Sequence, residues 1–232
     1  MTDASAAGDV KRLFDTGAHF AQVKSRRHPT MKSFVIGTKG RQEIIDLAQT
    51  EEQLEAAKKV METLAKDGKT VLFVGGKTEI ASLVKKAAQS VGAPYVATRW
   101  LGGTISNWVE IKKRVDRLFE LTEKGATGAL AKQHTKLELL LLEREKTRLE
   151  TRLDGIVTLA KKPDALVIVD TKHEKHAVKE ANDAHIPIIA VMGSDCNLSD
   201  ATYPIVANDA SRETVSFILT ELTKAYSSGR AA

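Results

Sequence analysis

Two clusters in this chain carry residue types that could do chemistry. Gly76-Lys77-Thr78 follows the apolar run Val71–Val74, and Ala165–Asp170 (ALVIVD) comes further on. A glycine, a lysine and a hydroxyl after one strand, with an acid ending another, imitate a nucleotide-binding pair. A phosphate loop needs G-x-x-x-x-G-K-[ST], so that several backbone amides curl round the phosphates. Here the position five before Gly76 is Val71, inside the strand, and no G-x-G-x-x-G is present either. Gly75-Gly76 therefore reads as a strand-to-helix turn. The second cluster, Asp170-Thr171-Lys172-His173-Glu174 (DTKHE), gathers titratable groups at the carboxyl end of a core strand, where ligands of open α/β sheets bind. Catalysis there requires a nucleophile or a metal alongside. The competing reading is a helix start, with Asp170 or Thr171 capping and Glu174 near the positive helix end. No second carboxylate–histidine constellation accompanies the cluster, which favours the helix start. The expectation is no metal and no cofactor; His19, Asp195 and Asp209 are the residues that could meet at the sheet edge if a hard cation were held.

Charge offers a different kind of chemistry. Thirty-five Lys+Arg against thirty Asp+Glu give +5, but the distribution says more than the sum. Between Thr16 and Gln42 no acid occurs, while Lys24, Arg26, Arg27, Lys32, Lys39 and Arg41 do, with His19 and His28 among them. A second acid-free stretch, Ile80–Val109, holds Lys85, Lys86 and Arg99. One-sign fields of this kind suit a polyanion, and equally a solvated basic face. The single cysteine, Cys196, excludes an internal disulfide framework and fits a reducing compartment. The start, MTDASAAGDVKRLF, lacks an apolar core of signal-peptide length, and runs such as Leu139–Leu142 are far too short to span a membrane. A cytoplasmic protein is expected.

The elements that must position these residues alternate. Val71–Val74, a helix over Thr78–Val91 stopped by Gly92, a strand opened by Pro94, Ala165–Val169, a helix around Glu174–Ala184, Ile186–Val191, a short strand Tyr203–Ala207 and a helix Ser211–Tyr226 follow one another. Continuous apolar strands separated by helices predict a parallel sheet covered on both faces. The right-handed crossover rule then gives a doubly wound, flavodoxin-like α/β fold of strand order 2-1-3-4-5. Two portions depart from the alternation. Ser33–Leu47 predicts a β-hairpin, Phe34–Ile36 and Ile44–Leu47 about a turn with Gly37 and Gly40, followed by a helix over Glu51–Leu64. Thr104–Leu153 carries Trp108, Ile111, Val115 and Leu118 at 3-4-3 spacing, with Leu139, Leu142, Leu149, Leu153 and Ile156 on the return. That pattern predicts an inserted antiparallel coiled-coil hairpin, reversing over Glu123–His134, whose narrow seam leaves it needing something outside its own domain to dock on. The expected division is a core of residues 1–103 plus 155–232 and an insertion of 104–154.

Between the second core strand and the hairpin lies Pro94–Asn107 (PYVATRWLGGTISN). It places Arg99 and Trp100 where a strand ends, with Gly102 and Gly103 turning the chain and Trp108 opening the next helix. This is read as a structural joint rather than a ligand edge, with Trp100 as a packed wedge.

Together with that segment, Gly17–Phe20 (GAHF), His28-Pro29 with Met31, Ile44–Leu47 (IIDL), Pro163–Leu166 (PDAL), DTKHE, Ala177–Ala181 (AVKEA), Ile186-Pro187 and Asn208-Asp209 occur in an order and spacing that resemble the family of small-subunit ribosomal protein two, bacterial type. The resemblance covers about residues 10–225. It implies the flavodoxin-like domain with an inserted coiled-coil hairpin and a non-enzymatic role. It also implies binding to small-subunit ribosomal RNA between head and body, beside neighbouring ribosomal proteins and the large mRNA-recruiting protein. Lys24, Arg26, Arg27, Lys32, Lys39, Arg41, Arg99, Lys112, Lys113 and Arg114 are the expected RNA contacts, with no membrane and no small-molecule substrate. Departures from the family pattern are Ala21 for a glycine, Gln22 for a histidine, Arg27 for a tryptophan and Thr30 for a lysine. The rival readings are a Rossmann-like nucleotide-dependent enzyme using Lys77 and Asp170, and a coiled-coil protein adaptor.

Overall fold

A computed structural model describes residues 10–126 and 135–231. Five parallel strands form the central sheet: β4 (Val71–Val74), β5 (Tyr95–Val96), β6 (Ala165–Val169), β7 (Ile188–Met192) and β8 (Tyr203–Val206). Their order is β5-β4-β6-β7-β8, which is 2-1-3-4-5 in core numbering, as the sequence predicts. Each strand alternates its side chains between two apolar layers. Val71, Phe73, Val167, Val169, Ile189, Val191 and Ile205 face one layer, and Leu72, Val74, Leu166, Ile168, Ile188, Ala190 and Val206 the other.

The first layer is closed by three helices, α1 (Leu47–Lys66), α2 (Thr78–Ser90) and α6 (Arg212–Ala231). Helix α1 starts four residues before the expected Glu51, because the Asp46 carboxylate accepts from Ala48 N at 3.0 Å and caps it there. Leu47, assigned to a strand from sequence, thereby joins the helix and packs into the core. Ser211 caps α6 as expected, its Oγ accepting from Thr214 N at 3.3 Å.

The second layer has a mixed cover. α5 (Lys175–Asp183) supplies Ala177, Val178 and Ala181. Beside it lies an antiparallel sheet of order β1-β3-β2, built from β1 (Phe20–Val23), β2 (Val35–Lys39) and β3 (Gln42–Ile45). The β2–β3 pair takes the place of the expected hairpin, while β1 has no strand signal in the sequence. Its four residues pair with β3 across an irregular register, Phe20 with Ile44 and Val23 with Gln42.

The insertion contributes α3 (Trp108–Ala126) and α4 (Lys136–Leu153), which pack on each other. Residues 127–134 of the expected reversal, Gly128 included, lie outside the described residues. Ile111, Val115 and Leu118 of α3, with Leu153 and Ile156 on the return, belong to the same apolar layer as β4, β6 and β7. The ends of α3 and α4 nearest the sheet are therefore continuous with the core. No helix is long and apolar enough to cross a membrane, among the described residues.

Candidate functional site

At the carboxyl edge of the sheet, β4 and β6 deliver Lys77 and Asp170 to one point, and the chain after β8 brings in Asp209. The Lys77 ammonium bonds Asp170 Oδ2 and lies 3.3 Å from Asp209 Oδ2. Burial lowers the lysine's proton affinity, but the Asp209 and Asp170 carboxylates outweigh it, and the net direction is up. Burial likewise opposes ionisation of Asp170, yet the lysine beside it and the backbone amide of His173 carry its pKa below the ordinary value. Asp209 goes the other way: burial, outweighing the lysine, pushes it up to about 6. The Cys196 thiol, 3.6 Å from Asp170 Oδ1, is pushed by burial up to about 12 and stays a thiol at neutral pH.

This arrangement settles the two motifs that imitate a catalytic centre. Gly76 N donates at 2.8 Å to Glu174 Oε1 rather than to an open phosphate site. A Cβ at Gly76 would run into the Thr98 carbonyl and Glu174, so glycine is required for close approach of two chain segments. Asp170 sits at φ 64°, in the left-handed region, and its Oδ1 accepts from Lys172 N and His173 N at 3.0 and 3.1 Å. These bonds close a turn ahead of the next helix, which begins only at Lys175 with Glu174 as its N-cap and no side-chain capping bond, so the expected capping by Asp170 or Thr171 is not made. Glu174, buried, also receives His173 Nδ1 at 2.8 Å. The lysine that a nucleotide enzyme would aim at phosphate is held by two carboxylates.

Of the three metal candidates, only Asp209 belongs to a cluster of ligating groups among the described residues. That cluster is Asp170, Cys196 and Asp209, within 4.8 Å of one another. Asp195 is instead paired with Lys172 at 2.9 Å. His19 stacks on Phe14 at 4.4 Å and against Phe20 at 4.1 Å. The cluster's cation is the Lys77 ammonium.

The basic residues divide sharply. Lys24, Arg26, Lys32, Lys39 and Arg41 are exposed on and beside the small antiparallel sheet and form no ion pair among the described residues. Arg27 differs: its Nη1 lies 2.7 Å from Glu43 Oε1, and Glu43 is 2% exposed. The charge of Arg27 is therefore spent on an internal partner. Replacing Arg27 with Gln strands a buried carboxylate and should cost about 3 kcal/mol; urea unfolding measures it, and an unchanged midpoint would exclude the pairing as a stabilising contact.

The joint has an organiser that sequence reading missed. Glu180 on α5 accepts from Trp100 Nε1 (3.2 Å) and Gly103 N (2.8 Å) on one oxygen, and from Ile105 N (3.0 Å) and Ser106 N (3.2 Å) on the other. Burial works against its ionisation, but these donors carry its pKa below the usual carboxylate range. Trp100 is buried in the same apolar cluster as Ile105, Ile111 and Val115. Gly103, at φ 92°, needs glycine. Gly102 has open space where a side chain would stand. Arg99 is exposed and unpaired among the described residues. Trp108 is half-buried against that base.

On the insertion Lys112 and Arg114 are exposed and unpaired among the described residues, whereas Lys113 pairs with Glu110 at 2.6 Å. Arg114 lines a groove of about 450 Å³ between the two helices, together with Arg148 and Arg152. These two arginines lie on the return helix, and only the pairing of α3 with α4 reveals them as neighbours of Arg114.

Comparison with known proteins bears on the whole of this arrangement. A family model described as ribosomal protein S2 matches residues 13–229. Over 220 residues the chain is 38% identical to small ribosomal subunit protein uS2 of Kocuria rhizophila, covering 95% of this chain and 77% of that one. It is 38% identical over 220 residues to small ribosomal subunit protein uS2c of Rhodomonas salina, covering 95% and 90%. With the uS2 of Nostoc punctiforme identity is 37% over 221 residues, covering 95% and 83%.

Proposed function

The chain belongs to the ribosomal protein S2 family, and from that premise we propose that it is a structural, non-catalytic component of the small ribosomal subunit, working in translation in the cytoplasm. It binds ribosomal RNA between head and body and sits beside neighbouring ribosomal proteins, supporting docking of the large mRNA-recruiting protein. The observation that carries the RNA reading is the set of exposed, unpaired cations on one acid-free stretch: Lys24, Arg26, Lys32, Lys39 and Arg41. Lysine and arginine in this state contact phosphates and set register without reading sequence. Arg99, Lys112 and Arg114 extend the same role towards the insertion, where the groove with Arg148 and Arg152 suits a phosphodiester strand. Lys113 and Arg27 take a smaller part, since each is already paired.

The domain of residues 1–103 plus 155–232 is the anchor, and 104–154 the coiled-coil arm. The seam spacing and the Arg117–Glu145 contact across the two helices, at 3.5 Å, support the arm reading.

Salt dependence separates surface cations from internal ones. Arg26→Gln should lower the slope of log affinity against log salt by about 0.7–0.9 for each phosphate it leaves without a cation. Arg27→Gln should leave that slope unchanged while lowering stability. Binding of the purified chain to small-subunit RNA, titrated with salt, reads the slope, and sucrose-gradient sedimentation reads incorporation. Equal slopes for Arg26→Gln and the unaltered chain would remove Arg26 from the interface.

A further inference from the structure

We propose that the outward face of helix α4 is a docking surface for an acidic amphipathic helix of a neighbouring protein. Leu137, Leu140 and Leu141 are 68%, 45% and 53% exposed. Their spacing, i, i+3 and i+4, puts them on one face of the helix, and Arg144 at i+7 continues it. The seam against α3 uses the opposite side: Leu139, Leu142 and Leu149 are half-buried and Leu153 is buried. The leucines therefore neither close the hairpin nor belong to the core. Isolated exposed leucines need no explanation, but three forming a helical stripe mark an interaction surface.

Charge decides the kind of partner. Lys136 and Arg144 beside the stripe are exposed and form no ion pair among the described residues. The acids of this helix are engaged elsewhere or stand aside. Glu138 closes a capping box with Thr135, Glu145 meets Arg117, and Glu150 meets Lys146. Glu143 lies on the flank, roughly a quarter turn from the stripe. The surface is thus apolar along its centre and cationic at its rim. RNA does not fit it, because leucine offers neither a stacking ring nor a phosphate donor. A helix with apolar residues at i, i+3 or i+4 and acids alongside matches both features. This assignment rests on the chain's place in the small subunit for access to its neighbours, but not on any of the RNA contacts above.

The test uses intact small subunits. A photo-crosslinking side chain replaces Leu140, and irradiated subunits are digested and analysed by mass spectrometry. The expected adduct is a peptide from an acidic amphipathic helix of another ribosomal protein. In parallel, the double variant Leu140→Glu, Leu141→Glu should lower that same protein's occupancy by about tenfold, and Arg144→Glu should lower it while Arg144→Lys does not. All three side chains are exposed, so the thermal midpoint and the chain's own incorporation should not move. An adduct to RNA, an adduct to a second copy of this chain, or unchanged occupancy of every neighbour overturns the docking surface alone. Absence of the unaltered chain from the small-subunit peak overturns the ribosomal reading along with it.

Discussion

Replacing Lys77 with Met is expected to cost the fold about 3 kcal/mol at pH 7.5, with about half of that loss disappearing as pH falls below 6. Methionine keeps the length and the apolar stem, so the change isolates the charge. Without the ammonium, Asp170 and Asp209 lie within 4.8 Å of each other at the carboxyl edge of the sheet, beside the Cys196 thiol. Two carboxylates so placed do not both ionise cheaply, and Asp209, already up at about 6 through burial, should be pushed further. The sign follows from linkage. A carboxylate whose folded pKa is raised contributes stability at low pH that is lost as pH rises through the folded value. Asp170, whose folded pKa is depressed, behaves oppositely and loses its contribution as pH falls. Around pH 5 Asp209 carries a proton and needs no cation, so its share of the loss should vanish, while the share from Asp170, still ionised and deprived of its ammonium, should remain. Asp209→Asn in the Lys77→Met background should recover about half of the loss at pH 7.5, a coupling that a double-mutant cycle measures. Urea denaturation at pH 5 and 7.5 is sufficient. A pH-independent loss would mean that Lys77 does not act as the counterion of Asp209.

The division between what the sequence discloses and what it conceals follows the range of the interactions. The sheet order is legible because Val71–Val74, Ala165–Val169 and Ile188–Met192 are buried on both faces, and such strands read as unbroken apolar runs. The turn at Asp170 is local, closing within three residues, yet the helix after it begins only at Lys175 without a side-chain cap, so the turn is legible and the cap is not. β1 is not legible: Phe20-Ala21-Gln22-Val23 has no alternation, and its pairing with β3 is set by tertiary contact. Arg27 looks like one more cation among six because its partner, Glu43, lies sixteen residues away across a sheet that spacing alone does not define. The metal candidates come apart for a related reason. His19, Asp195 and Asp209 have the right chemistry, but the fold gives the last of them an internal ammonium and the first two other neighbours. In the sequence Lys77 suggests only a phosphate ligand. Its tie to Asp209 spans 132 residues, and no motif signals a contact of that length.

Glu180 is the extreme case of such concealment, and its removal tests the joint directly. It stands in AVKEA, on a helix face with no other distinguishing signal, 74–80 residues from every group it binds. Glu180→Ala is expected to destabilise the protein by about 3–4 kcal/mol, because it strands the Trp100 indole and three backbone amides together. Local signs should exceed the global one. Amide exchange at Gly103, Ile105 and Ser106 should accelerate, since Glu180 is the acceptor for those N–H groups. Trp100 emission, read in a Trp108→Phe background, should shift to the red as the indole loses its burial. Glu180→Gln should recover less than half of the loss. Its carbonyl can serve one pair of donors, but its amide then points hydrogens at the other pair. Because the donors hold the Glu180 pKa below the usual range, the joint should remain closed at pH 5 and open only as acid protonates this carboxylate. The consequence reaches helix α3: Trp100 and Ile105 share an apolar cluster with its Ile111, Val115 and Leu118. A variant that keeps the sheet intact yet loses protection at Ile111 and Val115 would place the control of the arm's angle on Glu180. Unaltered exchange at all five positions would return that control to the apolar contacts alone.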